Sequence, residues 1–316
     1  MIDPAELREQ VRAGGLFARD RPVVVLLSGG RDSTCLLDVA CALLGASRTR
    51  ALHVNYGLRE RAHAEQARCL EMCEALGVEI ELVRAPALEQ GAGNVQAWAR
   101  ELRYEAALGV AEREDALIAT GHTASDQVET ILYRLAASPG RRALLGMASS
   151  EGRLIRPLLA LTREQTAAYC HARSLGFCED ESNDDERYAR TRVRNGVVPA
   201  LRAVHPAAES NVLRTAALLR EETELLEQLV ADELQGRTSI ALERLRELPA
   251  ALARMVVVSL AESASGGYVP QAGERVEEIL ALGRRGGRAE LHVGGRAGAV
   301  INGGVLEMVK LPPRAQ

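Results

Sequence analysis

Ser28-Gly29-Gly30-Arg31-Asp32-Ser33 is the stretch of this chain best equipped for chemistry. Two adjacent glycines remove side chains where a backbone must approach a ligand closely or adopt positive φ. A helix pattern starts directly after them, and free N–H groups at a helix start, with the helix dipole, favour an anion. Ser28 and Ser33 add hydroxyl donors. Asp32 would repel bare phosphate, so it makes best sense holding a Mg²⁺ that bridges phosphates. An ordinary strand–turn–helix corner would explain a lone Gly-Gly; the six-residue string is more specific. No Gly-Lys-Ser/Thr follows, so it is not a Walker A loop. The G-x-G-x-x-G spacing of the dinucleotide fingerprint is missing too.

A second group lies in Gly121–Thr130, GHTASDQVET. Asp126 and Glu129 are spaced i, i+3, so on a helix they share one face and can converge on a cation or an amine. Two such acids often form only a solvated face, but their place beside a phosphate loop favours a site. Gln96, Arg100 and Arg103 fall on one stripe of the pattern Asn94–Tyr104. Two arginines there can bind phosphate or the carboxylate of an amino acid; the alternative is a surface helix with Trp98 and Leu102 packed inward. Arg187, Arg190 and Arg194 follow i, i+3, i+7 spacing in an acid-free stretch, a basic helix face that suits an RNA backbone. His53 and His122 read as structural or hydrogen-bonding residues, because no His/Cys/Asp cluster has zinc spacing.

These residues need a frame that brings them together. Val23–Leu27 is an unbroken apolar run, as in a strand buried on both faces. Further strands are expected at Thr49–Asn55, Val78–Arg84 and Ala116–Thr120, with helices at Thr34–Leu44, Glu60–Leu76, Asn94–Arg113 and Ser125–Ala136. The alternation implies an α/β fold, a doubly wound parallel sheet with helices on both faces. Ligands of such sheets sit at the carboxyl ends of the strands, where Ser28–Ser33, His53–Arg59 and Gly121–Asp126 all fall. Ser138–Arg153 reads as a flexible loop over the site, Thr162–Ser174 as a helix capped by Thr162, and Glu179–Asp185 as a polar turn. Ala207–Leu234 is one long helical pattern. After further helices, Ala289–Val293, Ala299–Ile301 and Val305–Val309 read as short strands joined by glycine turns. The expected organisation is a catalytic domain over 1–203, a helical connector over 204–236 and a small α+β C-terminal domain over 237–316.

With 316 residues, 47% of them hydrophobic, the chain can bury a substantial core. No apolar stretch approaches the ~20 residues of a membrane span, and the first residues are charged and amphipathic, unlike a signal peptide. Six scattered cysteines without a C-x-x-C pair read as reduced thiols, and the cytoplasm is the expected compartment. A net charge of −4 does not by itself suggest a nucleic-acid binder. Lys310 is the only lysine, so phosphate contacts would fall to forked guanidinium groups.

Ser28–Ser33 resembles the pyrophosphate loop, S-G-G-x-D-S, of the ATP pyrophosphatase superfamily, whose fold is adenine nucleotide alpha hydrolase-like. Further motifs follow in order: HVNYGLR at 53–59, NVQAWARELRY at 94–104, GHTASDQVET at 121–130, RPLL at 156–159 and DESNDD at 180–185. With the Arg-rich segment ending at Pro199-Ala200-Leu201, they are similar to one family, tRNA(Ile)-lysidine synthetase. The departures are Tyr56 for a second His, Ser125 for the first of two acids, Ala137-Ser138-Pro139-Gly140 for an R-G-S-G-like loop, and Arg190-Thr191 for Arg-Asn.

The resemblance implies a ligase that forms a carbon–nitrogen bond in two steps. ATP adenylates the C2 oxygen of the wobble cytidine in the CAU anticodon of an isoleucine tRNA and releases pyrophosphate. The side-chain amine of free L-lysine then displaces AMP to give lysidine. It implies ATP binding by Ser28, Gly29, Gly30, Arg31, Asp32, Ser33, His53 and Gly121, with Asp32 holding Mg²⁺ through the phosphates. Asp126, Glu129 and Arg100 would bind lysine, and Asp32, Asp126 and Glu129 would be catalytic. Asn55, Tyr56, Arg59, Arg103, Arg187, Arg190 and Arg194 would contact tRNA; Arg100 and Arg103 both stay open as partners of lysine's carboxylate or of RNA phosphate. An amine paired with acids stays protonated and cannot attack. One of the acids or the leaving nucleotide must therefore take the proton. A homodimer is open to such a protein, and no membrane partner is implied. Two other readings use the same frame. A tRNA sulfur transferase would need a reactive cysteine, whereas Cys35, Cys69 and Cys73 sit within helical patterns. A nucleotide-binding sensor would need neither Asp126 nor Glu129.

Overall fold

The computed structural model describes residues 2–17, 20–57, 62–86, 95–138, 140–178 and 188–312. The chain divides into two compact units, Met1–Ala217 and Leu218–Gln316, each with its own core.

In the first unit, α1 (Pro4–Ala13) precedes β1 (Val23–Leu26), and α2 (Arg31–Leu44), β2 (Thr49–Asn55), α3 (Ala62–Leu76) and β3 (Glu79–Arg84) follow. Next come α4 (Val95–Arg113), β4 (Leu117–Ala119) and α5 (Ala124–Ala137). β1 pairs in parallel with β2 on one side and β4 on the other, and β3 lies beyond β2. The strand order therefore reverses at β1, and a crevice opens at the carboxyl ends of β1 and β4. Pleating explains why every residue of β1 is apolar. Val23 and Val25 join a core with Leu36, Leu37 and Tyr169, whereas Val24 and Leu26 join Leu52, Ala107, Val110 and Ile118 on the other face. Each such side chain stabilises the fold by roughly 1.5–3 kcal/mol.

Ser138–Arg153 is not a loop throughout. It contains α6 (Arg141–Leu144) and β5 (Ser150–Glu151), which turns back antiparallel on β6 (Leu154–Ile155) and gives the sheet order β3-β2-β1-β4-β6-β5. Buried Gln127 latches the segment, donating to Met147 O at 2.8 Å and accepting from Met147 N at 2.6 Å. A Cβ at Gly146 would lie 2.6 Å from the Gln127 amide. A Gly/Ser-rich stretch has no apolar periodicity to announce such a latch.

α7 (Arg163–Ala172) starts at the Thr162 cap, with Gln165 completing a capping box. It packs on α2 through Asp38, which is 2% exposed and receives hydrogen bonds from Arg8 on α1 (3.1 Å), Tyr169 (2.5 Å) and Arg173 (3.2 Å). Beyond it lie α8 (Ala189–Arg192), a π-helical turn at Val193–Val197 and α9 (Val198–Val204).

In the second unit, the end of α10 (Ala208–Leu234) supplies Val230 and Leu234 to the core. β7 (Ser239–Ala241), α11 (Leu242–Glu247), α12 (Ala250–Ser265), α13 (Val276–Arg284), β8 (Ala289–Gly294), β9 (Ala297–Asn302) and β10 (Val305–Lys310) follow. The antiparallel sheet runs β7-β10-β9-β8. Gly303 and Gly304 join β9 to β10 at φ +56° and +76°, as the twist of a two-residue hairpin turn requires. β7 is an addition to the sequence reading. Three residues are too short to show an alternation, and their pairing with β10 defines them. Among the described residues no helix is long and apolar enough to cross a membrane.

Candidate active site

The Ser28–Ser33 turn joins β1 to α2 at the crevice. Gly29 has φ +83°, and a Cβ there would lie 3.3 Å from Cys69 Sγ, so both conformation and space demand glycine. Ser33 Oγ donates to Gly30 O at 2.9 Å and lies 3.0 Å from Ser28 Oγ, which shapes the turn from inside. Cys178 N, from the segment that follows α7, donates to Gly29 O at 2.9 Å. α2 begins at Gly30 with no side-chain cap, which leaves its first N–H groups for a bound anion.

Gly121 forms the opposite wall, just past β4. A Cβ there would sit 3.0 Å from Asp32 C and Ser33 N, so only glycine lets this turn lie against the start of α2. Thr123 then caps α5, and Asp126 Oδ2 accepts from Thr123 N and Oγ1, each at 2.8 Å. Glu129, one turn on, is buried. The two acids share a face as their spacing predicts, and they meet on Arg163. Arg163 Nη1 donates to Glu129 Oε1 at 2.6 Å and its Nη2 to Asp126 Oδ1. Arg194 forks onto the same glutamate, from Nε at 2.7 Å and Nη2 at 3.1 Å. Asp126, Arg163 and Arg194 line the cleft; Glu129 lies behind them, 4% exposed.

The electrostatics follow from these contacts. Burial pushes the Asp126 carboxyl up, but the Arg163 charge and the Thr123 hydrogen bonds outweigh it and hold the group below its usual range. Burial likewise works against the Arg163 charge, and the two acids overcome it, raising its pKa further. Asp32 differs: burial raises its carboxyl, although Thr166 Oγ1 and Arg31 Nε (3.3 Å) both donate to its Oδ1. Among the described residues Asp32 Oδ2 carries no hydrogen bond, so it fits a divalent cation shared with phosphate oxygens, which would relieve that penalty.

Arg163 and Thr166 were not among the residues expected from sequence. One signal was available. The T-x-x-Q box at 162–165 places Arg163 in the first turn of α7, where a cation opposes the helix dipole and so needs carboxylates close by.

The other expected residues are placed as follows. His53 is buried with Nδ1 2.9 Å from Leu27 O, and His122 Nδ1 lies 2.8 Å from Thr120 Oγ1. Burial, reinforced by nearby arginines, pushes the His122 pKa down to about 4 against the opposing charge of Asp126. Asn55 shapes its own turn, donating to Gln66 Oε1 at 2.8 Å and accepting from Gly57 N at 2.9 Å. Tyr56 meets Trp98 edge-on at 6.1 Å and donates to Ala99 O at 3.0 Å. Arg103 lines the cleft, while Arg100 lies exposed beside it, 4.7 Å from the Tyr104 ring centre. Of the basic face expected over Arg187, Arg190 and Arg194, the described members Arg190 and Arg194 both line the cleft. The π-helical turn buries Val193 against Val128 and swings Arg194 inward onto Glu129, while Arg190 stays exposed in the cleft lining. Arg59, Arg187 and the Glu179–Asp185 segment lie outside the described residues. The described cysteines form no disulfide, and burial pushes Cys41 to about 11 and Cys69 and Cys73 to about 12, far from reactive values.

The cleft holds about 760 Å³, a volume typical of small-molecule sites. A parallel sheet with a glycine turn and an open helix start at its switch point defines a nucleotide-binding α/β protein. The model of the PP-loop domain matches residues 5–201. The tRNA(Ile)-lysidine synthase of Pseudomonas syringae pv. tomato is 38% identical over 214 residues, covering 66% of this chain and 47% of the relative. That of Salinispora arenicola is 37% identical over 243 residues, covering 73% and 72%. The chain belongs to the PP-loop family and, within it, to the family of tRNA(Ile)-lysidine synthases. It spans about half the length of the first curated relatives it matches. Among solved structures, the U34-tRNA thiolase NcsA from Methanococcus maripaludis aligns with a TM-score of 0.58 at 18% identity, over 68% of this chain and 78% of that one. That likeness is one of fold.

Proposed function

We propose that this protein uses ATP to join free L-lysine to C2 of the wobble cytidine in a CAU-anticodon isoleucine tRNA, giving lysidine, AMP and pyrophosphate in the cytoplasm. The observation that carries the proposal is the single cleft in which the Ser28–Ser33 turn faces Asp126 and Arg163. Membership of the tRNA(Ile)-lysidine synthases supports the choice of substrates.

In this reading Ser28–Ser33 holds the phosphates, with His53 and Gly121 shaping the wall around the nucleotide. A Mg²⁺ at Asp32, when bound, offsets phosphate charge as pyrophosphate leaves. Asp126 receives the lysine amine, and Glu129 acts from behind by fixing Arg163 and Arg194. Arg100 or Arg103 takes the lysine carboxylate or an RNA phosphate. Asn55, Tyr56 and Arg190 are candidate contacts to the anticodon loop, and Arg194 is a further one if it releases Glu129. The segment 1–203 carries the chemistry, 204–236 connects, and 237–316 holds the body of the tRNA, in one copy or two. In the second step the nitrogen–C2 bond forms as the C2–O bond breaks, and that electron pair leaves on AMP. Asp126 is held below its ordinary range and is a weak base, so the proton shed by nitrogen passes to the departing phosphate.

The test is pyrophosphate release from ATP with Mg²⁺ and the unmodified tRNA, with and without lysine. Lysine-dependent turnover, with labelled lysine entering the RNA, is expected. Turnover with a sulfur donor instead would overturn the reading in favour of sulfur transfer. ATP binding without turnover on any tRNA would leave a sensor.

A further inference from the structure

Arg163 creates a problem for a lysine site. Asp126 and Glu129 are the acids meant for an amine, yet a guanidinium already bridges them, and a second one forks onto Glu129. Two carboxylates facing an incoming ammonium would hold its proton, and a protonated amine has no electron pair to attack with. Two guanidiniums balance those two charges. The other charged groups of the cleft lining are Asp32 and Arg31 from α2, Glu65 from α3, Arg103 from α4, and Arg190 and Arg194 from the turn around α8. Arg100, on α4 beside Arg103, acts on it at longer range. His122 from the β4 turn is neutral near pH 7, because burial keeps its pKa near 4. Cations match or outnumber anions around Asp126, and none of them is an amine that alkaline pH would discharge.

Building on the functional reading above, we propose that Arg163 is a positioning residue that neutralises the Asp126–Glu129 pair, so that lysine's side-chain amine is bound in its uncharged, nucleophilic form. Asp126 then orients the amine by accepting a hydrogen bond from it, and the ammonium proton is lost to solvent on binding. Free lysine carries that proton at neutral pH, so the proposal predicts a proton count. Glu129 keeps Arg163 in place, which explains why this acid lies behind the cleft wall.

The experiment is calorimetry of lysine binding to the full chain with ATP and Mg²⁺ present, in several buffers of different ionisation enthalpy at about pH 7.5. The native protein is expected to release close to one proton per lysine bound. Arg163→Gln is expected to bind lysine no more weakly but to release far less. Its lysine-dependent kcat is expected to fall about tenfold at neutral pH and to recover about one to two pH units higher, with KM unchanged or lower. Arg163→Lys, which keeps a charge but not the fork, should restore part of the proton release. Lysine binding without proton release by the native protein, or equal release by native and Arg163→Gln, overturns the inference and leaves the functional reading intact. ATP binding with no lysine binding in any of these proteins overturns the functional reading itself. Native-state proton release alone decides the matter if Arg163→Gln fails to fold.

Discussion

Asp32, Gly121 and His122 lie around one turn of the cleft, and each constrains it in a different physical way. Asp32 offers one carboxylate oxygen beside the pyrophosphate turn, its other oxygen being held by Thr166 and Arg31. Asp32→Asn keeps the shape and removes the charge; pyrophosphate release is expected to fall about 10²–10³-fold while the thermal midpoint stays near native. Gly121→Ala places a methyl 3.0 Å from the backbone at the start of α2, which cannot yield as a flexible side chain would. It should cost about 1–3 kcal/mol in denaturant unfolding and weaken ATP binding in the same variant. His122 gives a pH limb. Its pKa is near 4 when folded against 6.5 for the ordinary group, so the unfolded chain takes the proton first as pH falls. Its contribution is complete above about 6.5 and is lost progressively toward 4, by up to about 3 kcal/mol. Denaturant midpoints measured across that window should flatten in His122→Gln.

At the scale of elements, α7 carries Arg163 into the cleft and Thr166 behind it against Asp32, and is itself held by Asp38, which ties α1, α2 and α7 together. Asp38→Ala would leave Arg8 and Arg173 without their carboxylate. Both are partly solvated, with 26% and 41% of their side chains exposed, so the expected loss is about 2–3 kcal/mol rather than more. Urea unfolding measures it, and pyrophosphate release should drop with it although no group in the cleft has changed. The sheet and its helices were legible in the sequence because β1 is apolar on both faces, strand and helix patterns alternate, and Thr162 marks the start of α7. The latch of Gln127 on Met147 and the three residues of β7 were not, because both are defined by partners distant in sequence. The site was half legible. The i, i+3 acids announced a convergence, but their target, Arg163, stands 34 residues beyond Glu129 on another helix. The spacing brought Arg190 and Arg194 to one cleft, but it could not show that Arg194 is occupied by Glu129, a partner 65 residues away.

At the scale of the whole molecule, two cores unfold independently unless something couples them. Trp98 is the only tryptophan, and it lies in the first unit against Tyr56. Its fluorescence therefore follows the nucleotide-binding unit alone, whereas far-ultraviolet circular dichroism follows both. ATP with Mg²⁺ is expected to raise the melting midpoint seen by Trp98 and to leave a second, dichroism-only transition unmoved. A single transition that shifts in both signals would show the units to be coupled.

The near-absence of lysine has a practical side. The one lysine of the chain, Lys310, ends β10 in the second unit, and every cation around the cleft is an arginine. Amine-directed reagents therefore find nothing to modify among the cleft's side chains. An amine-selective probe applied during turnover would report on the guest amine against a wall that carries none of its own.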